Sequence, residues 1–387
     1  MNLYKDNFAE VFTDEETLTA RVKEMEEVTT WTPGVTTSTL TVSPISGPIE
    51  AAEVARRTGT SEDAAYETSE ETGSQLLLKY GGQEHLVRTS ALASIFNAAK
   101  ISGSALGRLG AYKLSEVLNL CFSVAKGSSL IMHRAEKVGA VHSDNVNGYK
   151  IMPVPELLEA THDAFSNFGT AQFKTGYACH ESVGATWYLP DKQEEFMEAY
   201  QKAVKDTVTR IFSANFTPAV MFTTSDISEG SATLIPHFVT AGGGYFALSD
   251  PIRVAHRRGA QEGVDLFRLK ADELFPTFMA MKDNVERLSS VVIEHPQNAF
   301  IGLCNKADIP KKVASPALEV FLQYLNGDDD CCMGLDLYIG ISEAMAYAKD
   351  YSGEQKLKLM EKISKILRYN MEDYDVAGIV AWSSKQQ

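Results

Sequence analysis

Apolar residues recur along this chain at two spacings, and the switches between them mark its elements. Between residues 75 and 260 short runs alternate at every second position, the period of a half-buried strand. "QLLLKY" and "HLVR", separated by "GGQE", predict a hairpin or a strand entering a helix. "SSLIMHR", "KVGAVHS" and "GYKIMP" predict three short strands, and "TAQFKTGYACHE" with "SVGATWYLP" a strand pair. "TPAVMFTTSD", "GSATLIPHFV", "GGYFALSD" and "IRVAHRRG" predict a further series. Helical spacing interrupts them at "TSALASIFNAAKIS", where Leu92, Ile95, Phe96 and Ala99 share a face behind a cap at Thr89 or Ser90. It returns in "VPELLEATHDAFSNF", with Pro155 in the first turn, and in "DKQEEFMEAYQKAVKDTVTRIFSANF", capped at Asp191. Two more short helical runs lie in "SGSALGRLGAYKLSEVLNLCFSVAKG". Short helices divided by Gly fit a helix-turn-helix or the cover of a sheet; no basic face lines them, which favours cover.

After residue 260 the helical period dominates. "VDLFRLKADELFPTFMAMKDNVERLSSV" predicts a long helix interrupted or kinked at Pro276, and three further helical runs follow. Strands grouped in the middle and helices at the end predict an α+β fold: a central mixed or antiparallel sheet with covering helices and a helical C-terminal layer. Residues 75–260 are read as the α+β core and 261–387 as a helical C-terminal region. Residues 1–74 are read as an N-terminal arm or linker region. "TTWTPGVTTSTLTVSPISG" fits a strand pair or an extended arm, and "TSEDAAYETSEETGS" is acidic with almost no large apolar residues.

Composition narrows the function classes. The chain has 51 acidic and 36 basic residues and a net charge of −15. A uniformly acidic surface repels a nucleic-acid backbone, so any phosphate contact needs a local basic patch. The five cysteines show no Cys-x-x-Cys spacing, so the usual signature of a structural zinc site is missing. No apolar run approaches the roughly 20 residues of a membrane helix, and "MNLYKDNFAEVF" does not read as a secretory signal. These features predict a cytoplasmic chain without membrane contact.

Several blocks resemble domain-of-unknown-function family 932, found in phage-like and plasmid-like proteins. "LIMHRAEKVGAVHSDNVNGYKIMPVPELLEA" resembles its strand pair, turn and helix. "FTTSDISEGSATLIPHFV", "IRVAHRRGAQEGVDLF" and "LDLYIGISEAM" resemble three later blocks, so that the resemblance spans roughly residues 75–380. It implies a phage or plasmid gene expressed in a bacterial host, and it implies no activity. A more distant analogy, resting on fold class, is to phage single-strand annealing proteins, which place a basic groove on a sheet and assemble into rings.

The patch the charge argument asks for is "DPIRVAHRRGA". On a strand, Arg253, Ala255 and Arg257 share one face while Ile252, Val254 and His256 share the other. Arg253 and Arg257 then point together at phosphates, with Arg258 closing the turn, Lys150 and Lys174 contributing from neighbouring strands, and Tyr245 and Trp187 stacking on bases. The competing reading is a solvated strand whose arginines pair with carboxylates. The leading expectation is therefore a protein that binds single-stranded nucleic acid, with strand annealing as the further step, as a homo-oligomer and without a cofactor. The first alternative is a non-catalytic assembly protein of a mobile element. The second is a metal-dependent enzyme that gathers His133, His142, His180, His237 or His256 around Asp226 or Glu229. "SDISEG" also reads as a turn capping a hairpin, "AGGGYF" as a hairpin turn lacking phosphate-loop spacing, and "GDDDCCMG" as an acidic helix lead-in. In "CHES", Cys179 and His180 face opposite ways on a strand and make a poor dyad.

Overall fold

The structure is a computed structural model that describes residues 3–195, 198, 216–227, 230–240, 245–259, 263–325, 331–351 and 353–383. The chain opens with β1 (Ala9–Phe12), α1 (Glu15–Glu27), β2 (Thr29–Thr36) and β3 (Thr41–Pro44), then α2 (Ala51–Thr58) and α3 (Glu62–Ser69). Next come the hairpin β4 (Leu76–Tyr80) and β5 (Gln83–Val87), then α4 (Leu92–Ala98), α5 (Ala111–Val124), β6 (Ser128–Arg134) and β7 (Lys137–Ser143). After α6 (Val154–Ala164) follow β8 (Gln172–Cys179), β9 (Val183–Tyr188), β10 (Phe216–Thr224), β11 (Ala232–Thr240), β12 (Tyr245–Phe246) and β13 (Ile252–Val254). The rest is α7 (Gly263–Ala271), α8 (Leu274–Ser289), β14 (Val292–Ile293), α9 (Pro296–Lys306), α10 (Lys311–Tyr324), β15 (Cys332–Met333), α11 (Gly334–Ser342) and α12 (Gly353–Ser364).

This is an α+β fold with two large sheets rather than one. The first sheet runs β2-β6-β7-β5-β4-β3 and is antiparallel except where β5 meets β7. The second runs β1-β8-β9-β10-β11-β12, with β13 also paired to β11, and is antiparallel throughout. The run Leu76-Leu77-Leu78 is buried on both faces of the first sheet. Leu76 and Leu78 pack with Ile95, Leu118 and Phe122 beneath α4 and α5, while Leu77 packs with Val54, Ala55 and Ala64 beneath α2 and α3. The short Gly-divided helices thus cover a sheet. The long helix read from "VDLFRLK…" is two helices, α7 and α8, with Pro276 in the first turn of α8, where its missing N–H is tolerated. Most of the helix read from Asp191 onward lies outside the described residues.

The arm reading of residues 1–74 is corrected by the pairing: β1 joins β8, β2 joins β6 and β3 joins β4. The acidic stretch after residue 60 is α3, whose Ala64, Ala65, Thr68 and Ser69 are buried. Small side chains let it lie close to the sheet, while Glu62 and Asp63 face outward and Glu67 turns in. There Glu67 joins Asp6 in holding Lys137, whose side chain is fully buried. Arg88, also buried, donates to the carbonyls of Leu3 and Lys5 at 3.2 and 3.1 Å. The core that covers the second sheet runs from Leu3 to Met371, so it continues across residue 260.

Candidate functional site at the junction of the two sheets

The basic stretch begins as expected. Ile252 and Val254 are buried, and Arg253, opposite the buried Thr233, is only partly exposed, with Nε and Nη2 shut from solvent and without a hydrogen-bond partner among the described residues. The strand then ends at Val254. The next four residues cross to the segment leaving β7: Arg257 bridges Tyr149, the Lys150 N–H donates to the His256 carbonyl at 3.2 Å, and the Arg258 N–H donates to the Gly148 carbonyl at 3.0 Å. Arg253 and Arg257 therefore do not share a strand face. Arg253 reaches back to Glu361 on α12, at 2.6 Å. Arg258 reaches Asp144, bonding its carboxylate at 2.6 Å and its carbonyl at 3.2 Å. Arg257 is exposed and has no ion pair among the described residues.

The other expected contacts scatter. Lys174 on β8 is separated from β13 by β9, β10 and β11, about 19 Å at the usual strand spacing. Its ammonium lies over the Tyr188 ring at 5.7 Å. Trp187 is 0% exposed; its indole N–H donates to Glu15 at 2.8 Å, and Phe165, Phe173 and His162 meet it edge-on. Its ring has no face open to a base. The backbone of Tyr245 pairs with Val239, and its side chain lies outside what is described. The fold thus gathers the backbone of Lys150 with His256, Arg257 and Arg258, and places Arg253, Lys174 and Trp187 elsewhere.

Behind this stitch lies a polar cluster drawn from both sheets. Tyr149 stacks on His142 with centroids 3.8 Å apart and planes 6° apart, on His256 at 5.1 Å and on Trp31 at 5.7 Å. The His142 Nε2–H donates to the Asp226 carbonyl at 2.7 Å. The Asp226 carboxylate takes a bond of 2.6 Å from Arg134, whose Nε donates to Thr29 Oγ1 at 2.8 Å. His256 Nε2 meets Thr224 Oγ1 at 3.0 Å. Burial pushes His142 down to about 4 and lowers His256, because an imidazolium there loses its water; both rings are neutral at pH 7. Glu26 at the rim is raised, by burial and by the Asp226 charge beside it. The Tyr149 hydroxyl is buried with no hydrogen-bond partner among the described residues.

Of the strand histidines named for metal binding, His142 bonds the backbone carbonyl of Asp226 and His256 bonds Thr224, while Arg134 occupies the Asp226 carboxylate. Among the described residues no group of three or more His, Cys, Asp or Glu is arranged to hold a metal ion. Glu229, the glycines of "AGGGYF" and the aspartates of "GDDDCC" lie outside the described residues. Sequence reasoning missed Arg134, Tyr149 and Trp31. The available signal was an arginine closing the otherwise apolar run "SSLIMHR". Chemically the junction joins the sheets through paired donors and acceptors, with the buried Tyr149 hydroxyl left without a partner among the described residues. No family model, curated protein or solved structure matches the chain.

Proposed function

We propose that this chain is a self-associating interaction protein whose copies meet through the outer face of α5. The observation that carries the reading is an apolar stripe on a helix already buried on its other side. Leu114, Leu118 and Phe122 face the first sheet, yet Tyr112, Leu120 and Val124 are 64%, 72% and 78% exposed, with Leu109 just ahead. Tyr112, Glu116, Leu120 and Val124 lie four residues apart and so form one row. A helix apolar on both sides is the pattern of one buried on both sides, and contiguous exposed apolar surface marks an interaction site. A second copy fits the charges. Lys113, beside the row, pairs with Glu116 within it, both exposed, and in an antiparallel two-fold contact the same face meets itself, so each lysine finds the other copy's glutamate.

The net charge of −15 opposes this contact at long range, so added salt strengthens the association. Sedimentation velocity over a concentration series at low and high salt tests it. The expected result is a monomer–dimer equilibrium favoured by salt, weakened at least tenfold by Leu120→Glu. A chain that stays monomeric at every concentration, or a variant that associates as the parent does, overturns the proposal.

A second reading keeps a single-stranded polynucleotide at Arg257, favoured by that exposed guanidinium alone. It requires binding that weakens with salt and falls further in Arg257→Ala. Fluorescence anisotropy with a labelled oligonucleotide decides it, and no binding by the unaltered chain removes it.

A further inference from the structure

We propose that the cleft between the start of α9 and the C-terminal segment is an acid–base site for small apolar esters, with His295 as its general base. The cleft, about 440 Å³, has the size of a small-molecule site. Leu322, Leu325 and Ile379 supply its apolar wall, and Glu294, His295 and Asn298 its polar one. Asp375 accepts from the backbone N–H groups of Glu294 and His295, at 2.7 and 2.6 Å, and from His295 Nδ1 at 3.1 Å. The proton of the neutral imidazole is therefore held on Nδ1, and Nε2 keeps its lone pair on the ring edge away from Asp375. That is the arrangement in which a carboxylate fixes the tautomer a general base needs. His142, His180 and His237 are buried; His295 is 38% exposed beside a cleft while its carboxylate partner is 12% exposed.

The walls are held in place. Asn298 donates to the carbonyls of Val376 and Gly378 at 2.7 and 2.8 Å, and its own oxygen accepts from the Val380 N–H at 3.3 Å. This ties the C-terminal segment across the first turn of α9. The N–H groups of Gln297 and Asn298 lie in that turn, where no carbonyl within the helix reaches them, and both residues border the cleft. As free donors at the cleft's edge they could receive negative charge on an ester oxygen.

The step is hydrolysis, with water as co-reactant. The water oxygen attacks the ester carbonyl carbon as His295 Nε2 takes its proton. The bond from carbon to the leaving oxygen then breaks, and that oxygen receives the proton from Nε2. Asp375 is a positioning residue.

The full chain is tested with p-nitrophenyl butyrate. Saturable hydrolysis above the buffer rate is expected. His295→Gln abolishes it. Asp375→Asn lowers kcat at least tenfold and changes the pH profile, while Ile379→Asp, at a fully exposed position, raises KM with little change in kcat. Circular dichroism melts confirm that each variant is folded. A folded parent chain without saturable hydrolysis, or a His295→Gln variant with the parental rate, overturns the proposal. Neither outcome touches the α5 contact, which sedimentation reads separately.

Discussion

At the residue scale the sheet junction turns on Arg134 and Asp226. Both are almost fully buried, and each is the other's charge partner at 2.6 Å. Removing one leaves the other's buried charge without its partner, which costs about 3–5 kcal/mol, whereas replacing both by apolar residues of similar volume costs far less. Arg134→Met is therefore expected to lower the unfolding free energy by that amount in urea titration, and Arg134→Met with Asp226→Leu to recover most of it. Equal losses in the single and double variants would show that the pair is not what joins the sheets. The fates of the basic residues were not legible from their own stretch. The in/out alternation of Ile252, Arg253 and Val254 was, since it needs only a strand. The partners were not: Asp144 lies 114 residues from Arg258, and Glu361 lies on a helix that the spacing predicted without showing where it packs. Strand alternation also places Trp187 on a face without saying whether that face is wet.

At the element scale α1, which buries Leu18, Val22 and Met25 in the core, is also tied down by one carboxylate. Glu15 bonds His162 at 2.6 Å and the Trp187 indole at 2.8 Å. Burial alone would raise Glu15, but these two bonds outweigh it and bring the carboxyl below its ordinary value near 4.5. The bond to Glu15 lifts His162 above its ordinary 6.5 against partial burial. The signs define a window. The histidine's contribution is complete below 6.5 and is lost as pH rises through its raised value. The glutamate's is complete above 4.5 and is lost as pH falls through its lowered one. Docking of α1 is therefore tightest between about 4.5 and 6.5. Because the pair is partly exposed, the gain is under about 1 kcal/mol. Hydrogen exchange of α1 amides at pH 5.5 and 8.5 should show greater protection at the lower pH after correction for intrinsic rates, and Glu15→Gln should remove the difference. Most strands of both sheets were legible because alternation is local. The pairing of β2 and β3 was not. They read as partners of each other or as an arm, yet they form opposite edges of the first sheet. A strand's pattern states its faces, and its neighbours are chosen by the rest of the chain.

At the scale of the whole molecule the buried histidines set its response to acid. Burial pushes His133, His142 and His237 down to about 4 and His180 to about 3. The hydrogen bonds agree with neutral rings: the His180 Nε2–H donates to the Lys5 carbonyl at 2.9 Å while its Nδ1 is buried without a partner among the described residues. In the unfolded chain these rings take protons near 6.5. Below that pH the unfolded state binds more protons than the folded one, so stability falls as pH falls, until the folded values are reached. At pH 5 each ring loses about 2 kcal/mol relative to neutrality, and four together lose about 8 kcal/mol, comparable with the whole stability of a domain. Acid also neutralises part of the net charge of −15, which relieves repulsion and works the other way. The buried rings win because their penalty is local and unscreened, while surface repulsion is spread over many solvated carboxylates. The urea midpoint is therefore expected to drop steeply between pH 6.5 and 5, and His133→Gln to reduce the proton uptake on unfolding by about one. A midpoint flat across that range would mean that the rings are reached by water. For His142, which stacks on Tyr149 and bonds the Asp226 carbonyl, that would place water inside the joint between the sheets.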